Sequence, residues 1–286
     1  MKRFILTCGI ALCGLVLAAG SAAAMGSPRV AALQIGLRAH GLYSGTIDGV
    51  WGPSTERGVR RLQARARLSV DGVAGRQTRR ALRRYGRHDY GSRVLQTGDV
   101  GWDVSQVQFR LAWHGFPSGR LDGAFGPRTA AAVRRFQRWA RLPADGAPGP
   151  ATYAALRGPL PRSPVSLAWP IGGSPTDRFG PRGDRFHAGL DFPARHGASV
   201  RAARAGRVVF AGRDGGGYGK LVVILHRHGV ATWYAHLSAI TAARGARVAA
   251  GTRVGRVGAT GSATGPHLHF EARVRGAAFD PLTALG

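Results

Sequence analysis

Two pairs of side chains in the last third of the chain have spacings that could supply metal ligands. In the first pair, His187 and Asp191 are four residues apart, and the glycine and proline nearby (Gly189 and Pro193) argue against a helix. In an extended segment alternate side chains lie on one face, so the imidazole and the carboxylate could point the same way.

The second pair, His267 and His269, flanks Leu268 and should share one face of a strand. A further histidine, His236, follows Tyr234 and Ala235 at the end of another apolar segment. Zinc in hydrolytic sites takes three ligands from histidine and carboxylate and leaves a position for water. Each pair alone is weak evidence, but their occurrence together predicts a hydrolytic metal site.

The elements that would position these residues are strands. Short apolar stretches at 208–210, 221–225 and 267–271 are separated by glycine clusters about every ten residues. This pattern predicts an all-β, antiparallel domain with tight turns.

The part of the chain before this domain is duplicated. The segment 30–82 recurs as 104–156 at a constant offset, without a gap. Apolar residues at helical spacing, prolines at helix starts and Asp-Gly turns predict three helices in each copy. We therefore expect a multidomain α + β protein, with two small three-helix modules followed by the β domain.

Each copy contains Gln-x-x-Leu, then Gly-x-(Ile/Leu)-Asp-Gly-x-(Trp/Phe)-Gly-Pro-x-Thr, then Asp-Gly-x-x-Gly-x-x-Thr. This pattern resembles the peptidoglycan-binding domain of wall hydrolases. The resemblance implies that the repeats target the cell wall, with peptidoglycan as partner. Since the matched positions are mostly core and turn residues, they do not show that either copy binds glycan. No proposed site residue lies in the repeats, so we expect them to raise local substrate concentration rather than alter the chemistry.

The β domain resembles the lysostaphin-type zinc metalloendopeptidases. The motifs that carry the resemblance are Phe179-Gly180-Pro-Arg182, His187-x-Gly-x-Asp191, Gly217-Tyr218-Gly219, Tyr234-Ala-His236-Leu and Thr264-Gly-Pro-His267-Leu-His269-Phe-Glu271. The resemblance implies one Zn²⁺ per chain, bound by His187, Asp191 and His269. It implies catalytic roles for His236 and His267.

Zinc would lower the pKa of a bound water from about 15.7 towards 7 and polarise the scissile carbonyl. There is no His-Glu-x-x-His segment, so no helical glutamate is available as general base. We therefore assign the general-base role and the stabilisation of the oxyanion to His236 and His267 jointly. Glu271 shares the strand face of His269 and is either a partner of that ligand or a solvated carboxylate. We expect none of the other histidines to bind metal, including the second His-x-His pair, His226 and His228, which no carboxylate pair accompanies.

The segment 1–24 has a basic start, an apolar core and small residues ending at Ala24, which predicts a cleaved secretory signal. An uncleaved membrane anchor and a lipoprotein signal ending at Cys13 are the alternatives. Both cysteines lie in this segment, so cleavage would exclude disulfides and cysteine-bound zinc from the mature protein. We expect a secreted or cell-envelope protein without a stable membrane anchor after cleavage.

The composition is strongly basic: 41 Lys and Arg face 14 Asp and Glu among 286 residues, a net charge of +27, and 44% of residues are hydrophobic. The hydrophobic content is too high for a disordered chain. An exported protein of this charge has anionic wall polymers as its reasonable electrostatic partner, and no nucleic acid is expected.

The predicted organisation has five segments: a signal peptide (1–24), repeat 1 (25–86), repeat 2 (94–158), a Pro-rich linker (159–168) and the metalloendopeptidase domain (169–286). The expected function is a secreted zinc endopeptidase that cleaves peptide bonds in peptidoglycan stems or cross-bridges. The alternative is a non-catalytic wall-binding or hydrolase-activating protein.

Overall fold

The computed structural model describes residues 24–286. The predicted signal peptide, apart from Ala24, lies outside the described residues. Within them, no helix is long and apolar enough to cross a membrane.

Six α-helices form the first half of the described chain, three in each repeat. They are α1 (Pro28–Ala39), α2 (Pro53–Arg65), α3 (Arg76–Ala81), α4 (Trp102–Trp113), α5 (Pro127–Trp139) and α6 (Pro150–Ala155). Each helix of the second repeat begins at the same offset from its counterpart in the first, as predicted. Prolines begin α2 and α5, where their missing N–H costs no helical hydrogen bond. The two repeats pack on each other through α1 and α4.

A buried glutamine amide recurs four times in the repeats and explains much of their sequence pattern. In Gln108, Nε2 donates to Asp122 Oδ1 (2.9 Å) and Thr129 Oγ1 (3.3 Å), and Oε1 accepts from Gly123 N (2.8 Å). One side chain thus ties a helix to an Asp-Gly turn and to the start of the next helix. The glutamines with this arrangement are Gln34, Gln63, Gln108 and Gln137.

The second half is antiparallel β structure, as predicted. Its strands are β1 (Gly180–Arg182), β2 (Arg185–His187), β3 (Leu190–Pro193), β4 (Ser199–Arg201), β5 (Gly206–Asp214), β6 (Gly219–Leu225), β7 (Val230–Ala235), β8 (Leu237–Ile240), β9 (Arg247–Val248), β10 (Arg253–Val257), β11 (His267–Val274) and β12 (Ala277–Phe279).

These strands form three sheets. The largest has the order β12-β11-β7-β6-β5-β9, with β3 also paired to β11, and a second has the order β4-β10-β8. Alternate apolar residues from both sheets form one buried core, which includes Tyr234 and Phe270. The hairpin of β1 and β2 is a separate two-stranded sheet.

The segment between the repeats and the β domain, 159–168, forms no helix or strand apart from a single bridge at Leu167. That bridge joins Leu167 to Leu285, so the end of this segment is held by residues 284–286 of the β domain.

Candidate metal centre and active site

Three of the five predicted site residues converge on one point. Asp191 lies in β3 directly opposite His269 in β11, and His187 ends β2. Asp191 Oδ1 lies 2.7 Å from His269 Nδ1 and 3.2 Å from His187 Nε2, and the two imidazole atoms are 3.1 Å apart. Among residues 24–286, these three form the one group of three or more His, Cys, Asp or Glu residues whose ligand atoms all lie within 4.8 Å.

His187 and Asp191 reach this point from two different strands, not from one face of a single strand as the spacing suggested. Their segment breaks between β2 and β3, where Gly189 crosses the backbone of β11. A Cβ at Gly189 would lie 2.4 Å from the Phe270 carbonyl oxygen and 2.9 Å from Glu271 Cγ. A glycine is therefore needed in His-x-Gly-x-Asp, because the backbone at this position lies against the backbone of β11. This close approach lets β3 pair with β11.

The protonation of the two imidazoles fits a cation at this point. His187 Nδ1 donates to the Arg178 carbonyl (3.0 Å) and His269 Nε2 donates to Glu271 Oε1 (3.0 Å), since those oxygens can only accept. This leaves His187 Nε2 and His269 Nδ1 as the two nitrogens that could bind a cation beside Asp191 Oδ1. Ligands about 2.0 to 2.2 Å from a tetrahedral zinc ion are roughly 3.3 to 3.6 Å apart. The observed separations, 2.7 to 3.2 Å, require only a small expansion.

The surroundings of His269 also favour positive charge at this point. Burial lowers the pKa of His269, but its hydrogen bonds to Asp191 and Glu271 outweigh burial and raise the pKa to about 9. Burial acts to raise the pKa of Asp191, yet the hydrogen bonds from His187 and His269 hold it well below its usual value. The site thus stabilises positive charge between its ligand atoms.

Of the two interpretations that the sequence left open for Glu271, the structure favours the first: it is a buried partner of His269, the predicted ligand, and not a solvated carboxylate. Its side chain is 1% exposed and accepts from His269 Nε2, Tyr218 Oη (2.7 Å) and Arg273 Nε (2.7 Å). The Arg273 guanidinium also lies 4.0 Å from the centre of the Trp233 ring. Burial acts to raise the pKa of Glu271, but the charge of Arg273 and these hydrogen bonds lower it to about 2. Glu271 is therefore an anion that orients His269.

Sequence reasoning assigned no role to Arg273, Tyr218 or Arg182. Arg182, in β1, donates to Asp191 Oδ2 (2.9 Å) and also pairs with Asp177, so it holds the carboxylate oxygen that faces away from the imidazoles. Arg273 could have been found, because it follows Glu271 by two on the same strand face. Tyr218 stood in a recognised motif, but the sequence did not show what it contacts.

His236 and His267 lie together beside the three convergent residues. Their ring centres are 4.8 Å apart, and His267 Nε2 is 3.8 Å from Asp191 Oδ1. His267 Nδ1 donates to the Gly265 carbonyl (2.9 Å), and His236 Nδ1 donates to the Thr260 carbonyl (2.7 Å). In both rings Nε2 therefore remains available to accept or donate a proton. Burial lowers the pKa of His236, which favours the neutral ring that a base requires.

The backbone of His236 has a φ of +60°, in the left-handed region that non-glycine residues rarely adopt. It lies between β7 and β8, where its N–H donates to the Tyr218 carbonyl (2.9 Å). This conformation costs roughly 1 to 2 kcal/mol. It directs the imidazole into the cleft rather than along the strand.

The five residues line an open cleft of about 420 Å³. Its walls include Tyr218, Ser262 and Thr264 from the β domain and, unexpectedly, Pro117 from the second repeat. The expectation that the repeats stay apart from the chemistry therefore needs revision.

The remaining histidines with described contacts are structural, as predicted. His226 bonds to the Ala205 carbonyl and to Thr232, away from the cleft. His40 and His114 end α1 and α4, and each ring bonds to a carbonyl at the end of its own repeat, Leu82 or Leu156 (3.1 Å in both).

Sequence profiles of two families match the chain. Residues 185–281 match the family described as "Peptidase family M23", and residues 26–82 and 101–156 each match "Putative peptidoglycan binding domain". The chain therefore contains a peptidase domain of family M23, the lysostaphin-type peptidases, and carries two peptidoglycan-binding domains before it.

Known proteins resemble the peptidase part. The DD-carboxypeptidase/endopeptidase Mpg of Neisseria meningitidis is 50% identical over 99 residues, 35% of this chain and 23% of that protein. The lipoprotein NlpD/LppB homolog of Pseudomonas aeruginosa is 36% identical over 118 residues, 41% of this chain and 39% of that protein. A zinc containing peptidase from Vibrio cholerae shares 34% identity over 40% of this chain and 38% of its own, with a TM-score of 0.38. The chain thus spans 23% of the Neisseria protein's length.

Proposed function

We propose that the protein is a secreted zinc-dependent endopeptidase that hydrolyses peptide bonds in peptidoglycan stems or cross-bridges. The observation that carries this proposal is the convergence of three ligand atoms, from His187, Asp191 and His269, beside two imidazoles in one open cleft. The family M23 domain and the identity with a Neisseria DD-carboxypeptidase/endopeptidase support it.

One zinc ion per chain would be held by His187 Nε2, Asp191 Oδ1 and His269 Nδ1. The donor set of two imidazoles and one carboxylate is that of catalytic zinc sites with an open fourth position. Zinc bound there supplies an acidified water and a Lewis acid for the scissile carbonyl. Glu271 and Arg182 position the ligands from behind, through His269 and Asp191.

His236 and His267 would handle the protons. With Nδ1 of each ring donating to a carbonyl, the two Nε2 atoms are available to the attacking water and the substrate oxygen. The neutral form, favoured for His236, accepts a proton as the water attacks. The protonated ring then donates to the leaving amine, and its neighbour can hydrogen-bond the oxygen where charge develops.

The repeats would bind the wall. A groove of about 640 Å³ runs between them, lined by aromatic rings such as Trp51 and Tyr90 and by basic side chains. Four arginines of this groove pair with no acidic side chain among the described residues: Arg29, Arg76, Arg110 and Arg157. Positive charge without an acidic partner, beside the exposed Trp51 ring, suits an anionic glycopeptide or an anionic wall polymer.

The division proposed from the sequence accompanies this function: repeat 1 (25–86), repeat 2 (94–158), linker (159–168) and peptidase domain (169–286). A signal peptide at 1–24 would deliver the protein to the cell envelope. Several similar proteins are lipoproteins by name, including the Pseudomonas homolog, which supports an envelope location.

A non-catalytic role as activator of another hydrolase is the second candidate, favoured by the similarity to the NlpD/LppB homolog. Such a role does not need a metal site with both imidazoles in place. The complete set of five residues, with Glu271 fixing a ligand, favours catalysis.

The test is to incubate the purified protein with defined peptidoglycans that differ in cross-link and to identify released fragments by mass spectrometry. We expect zinc-dependent cleavage of one class of peptide bond. His236→Ala should keep one zinc and lower kcat by about 10² to 10⁴.

His88→Ala is the matched control, because His88 has the same left-handed backbone (φ +61° against +60°) and is not among the residues that line the cleft. It should keep full activity. If the zinc-loaded protein cleaves no peptidoglycan bond but stimulates a separate hydrolase, the activator role is correct and the proposed catalysis is wrong.

A further inference from the structure

The hairpin of β1 and β2 carries the proposed ligand His187 and the positioning residue Arg182, yet it pairs with no other strand among residues 24–286. Its register sets Gly180 opposite His187 and Arg182 opposite Arg185. A two-stranded hairpin is marginally stable in water without packing from elsewhere. The position of one metal ligand therefore depends on what holds this hairpin.

Both repeats hold the turn of the hairpin, and they do so with equivalent residues. Ile47 N in repeat 1 donates to the Gly183 carbonyl (2.8 Å), and Leu121 N in repeat 2 donates to the Asp184 carbonyl (2.7 Å). Ile47 and Leu121 occupy the same position in the two copies of the duplication. Arg120 adds an ion pair to the Asp184 carboxylate (2.7 Å). The two copies thus bind two consecutive peptide groups of one turn.

A shared apolar cluster fixes the body of the hairpin. Trp113, at the end of α4, packs edge-on against Phe179 and Phe186, with ring centres 6.2 and 5.3 Å away. Phe179 directly precedes the hairpin, and Phe186 lies within β2 beside the ligand. Residues of both repeats and of the peptidase domain belong to this one cluster: Ala31, Ile35, Ile47, Phe109, Trp113, Leu121, Phe179 and Ala278.

Repeat 2 also forms part of the cleft wall, next to a close backbone contact between Gly115 and Ala278. At Gly115 a Cβ would lie 2.1 Å from the Ala278 carbonyl oxygen in β12, and Ala278 N donates to the Gly115 carbonyl (3.3 Å). Two residues further on, Pro117 forms part of the cleft wall next to Phe186 and His187. The contact at Gly115 therefore sets where Pro117 stands relative to the site.

We propose that the tandem repeats are part of the catalytic unit: they position the β1–β2 hairpin, and with it His187, and they wall the substrate cleft with Pro117. This inference rests on the proposed function, since a catalytic unit presupposes that the protein is an endopeptidase. It replaces the expectation that the repeats only raise local substrate concentration.

The test compares Gly115→Ala with Gly41→Ala in the full chain. The two glycines occupy equivalent positions after α4 and α1, with φ values of +82° and +72°, so alanine meets the same backbone strain at each. At Gly41 nothing lies within 4 Å of the added Cβ, whereas at Gly115 it meets Ala278. The difference between the variants isolates the docking contact from the strain.

Gly115→Ala should weaken zinc binding about tenfold or more in competition with a chromophoric chelator, the size expected when a ligand's support is disturbed. It should also speed hydrogen exchange of the hairpin amides around residues 183–187. Cleavage of a small soluble peptide should fall by at least as much, while Gly41→Ala stays within about twofold of wild type in all three measurements. Equal behaviour of the two variants would overturn the proposal.

A second experiment keeps the native interface. A protease site inserted after the exposed Arg162 allows the linker to be cut in the folded protein. The two fragments should stay together in gel filtration and retain zinc affinity and small-peptide cleavage within about twofold. Spontaneous separation into a fully competent C-terminal fragment would overturn the proposal.

Zinc affinity and hydrogen exchange are measured without turnover, so they distinguish failed docking from failed catalysis. If the wild-type protein binds zinc but cleaves nothing, the proposed function is wrong, while the comparison of the glycine variants still decides whether the repeats position the hairpin.

Discussion

Glu271→Gln tests the hydrogen-bond network behind His269, the proposed ligand, with almost no change in shape. The carboxylate accepts from Tyr218, from His269 and from two nitrogens of Arg273, at 2.6 to 3.0 Å. An amide has one accepting oxygen and one donating nitrogen. Turned towards His269, the nitrogen would force the imidazole proton onto Nδ1, the ligand atom. Turned towards Arg273, the amide N–H groups would face the guanidinium N–H groups, and neither side could accept a hydrogen bond.

Either orientation has a cost that can be estimated. Removing one member of a buried ion pair typically costs 3 to 5 kcal/mol, and the side chain of Arg273 is 22% exposed, so we expect about 3 kcal/mol of lost stability. Loss of an outer partner of a metal-bound histidine weakens metal binding by about 10- to 100-fold. That loss corresponds to roughly 1.4 to 2.8 kcal/mol of binding free energy.

The chain provides its own control, because Glu56 is its one other glutamate. Glu56 pairs with Arg60 on the surface of α2, where both side chains are nearly half exposed. Glu56→Gln should therefore change stability by less than about 1 kcal/mol and leave zinc binding unchanged. Zinc affinity is measured by chelator competition, and stability by urea unfolding with zinc removed. A Glu271→Gln protein that binds zinc within twofold of wild type would refute the role of this carboxylate.

Three further substitutions test other parts of the structure. Asp191→Ala should lose zinc and small-peptide cleavage together, while Asp89→Ala, at a surface ion pair with Arg79, should keep both; one equivalent of zinc retained in Asp191→Ala would contradict the ligand assignment. Gly189→Ala should lower the free energy of unfolding by about 1 to 3 kcal/mol or more through its clash with the Phe270 carbonyl, and Gly172→Ala, with open space around it, should not. Gln108→Leu should cost about 2 to 4 kcal/mol by leaving the Gly123 N–H and other buried partners unpaired, against little change for the exposed Gln96→Leu. Equal unfolding midpoints within either pair would show that the close approach or the buried amide matters less than the structure indicates.

The architecture of the repeats follows from features that act locally and could therefore be predicted. Proline at a helix start, Asp-Gly in a turn and apolar residues at helical spacing each depend on a few neighbouring residues. The fourfold use of a buried glutamine was not predicted, although Gln63 and Gln137 stand in the sequence at the same offset as Gln34 and Gln108. Its signal is a polar residue on an otherwise apolar helix face.

The family resemblance implied His187, Asp191 and His269 as metal ligands, which remains a prediction, but the spacing argument for the first pair was wrong. A period of two within one strand does not unite His187 and Asp191, because the chain passes from the hairpin to the main sheet between them. The pairing of β3 with β11 brings Asp191 opposite His269, and this long-range register cannot be read from local spacing. The convergence of the three side chains therefore depends on this register.

The contact between the repeats and the β1–β2 hairpin was not predicted, because much of it consists of backbone hydrogen bonds. Ile47 and Leu121 have buried side chains, so sequence patterns assign both to the apolar interior. Their N–H groups nevertheless donate to the hairpin turn, and every residue except proline has an N–H. Gly115 and Gly41 likewise look identical, since each supplies the left-handed residue after a helix, but only Gly115 has a strand against it. The two copies thus carry the same residues at these positions, but the tertiary structure gives those residues different contacts at the edge of the proposed metal site.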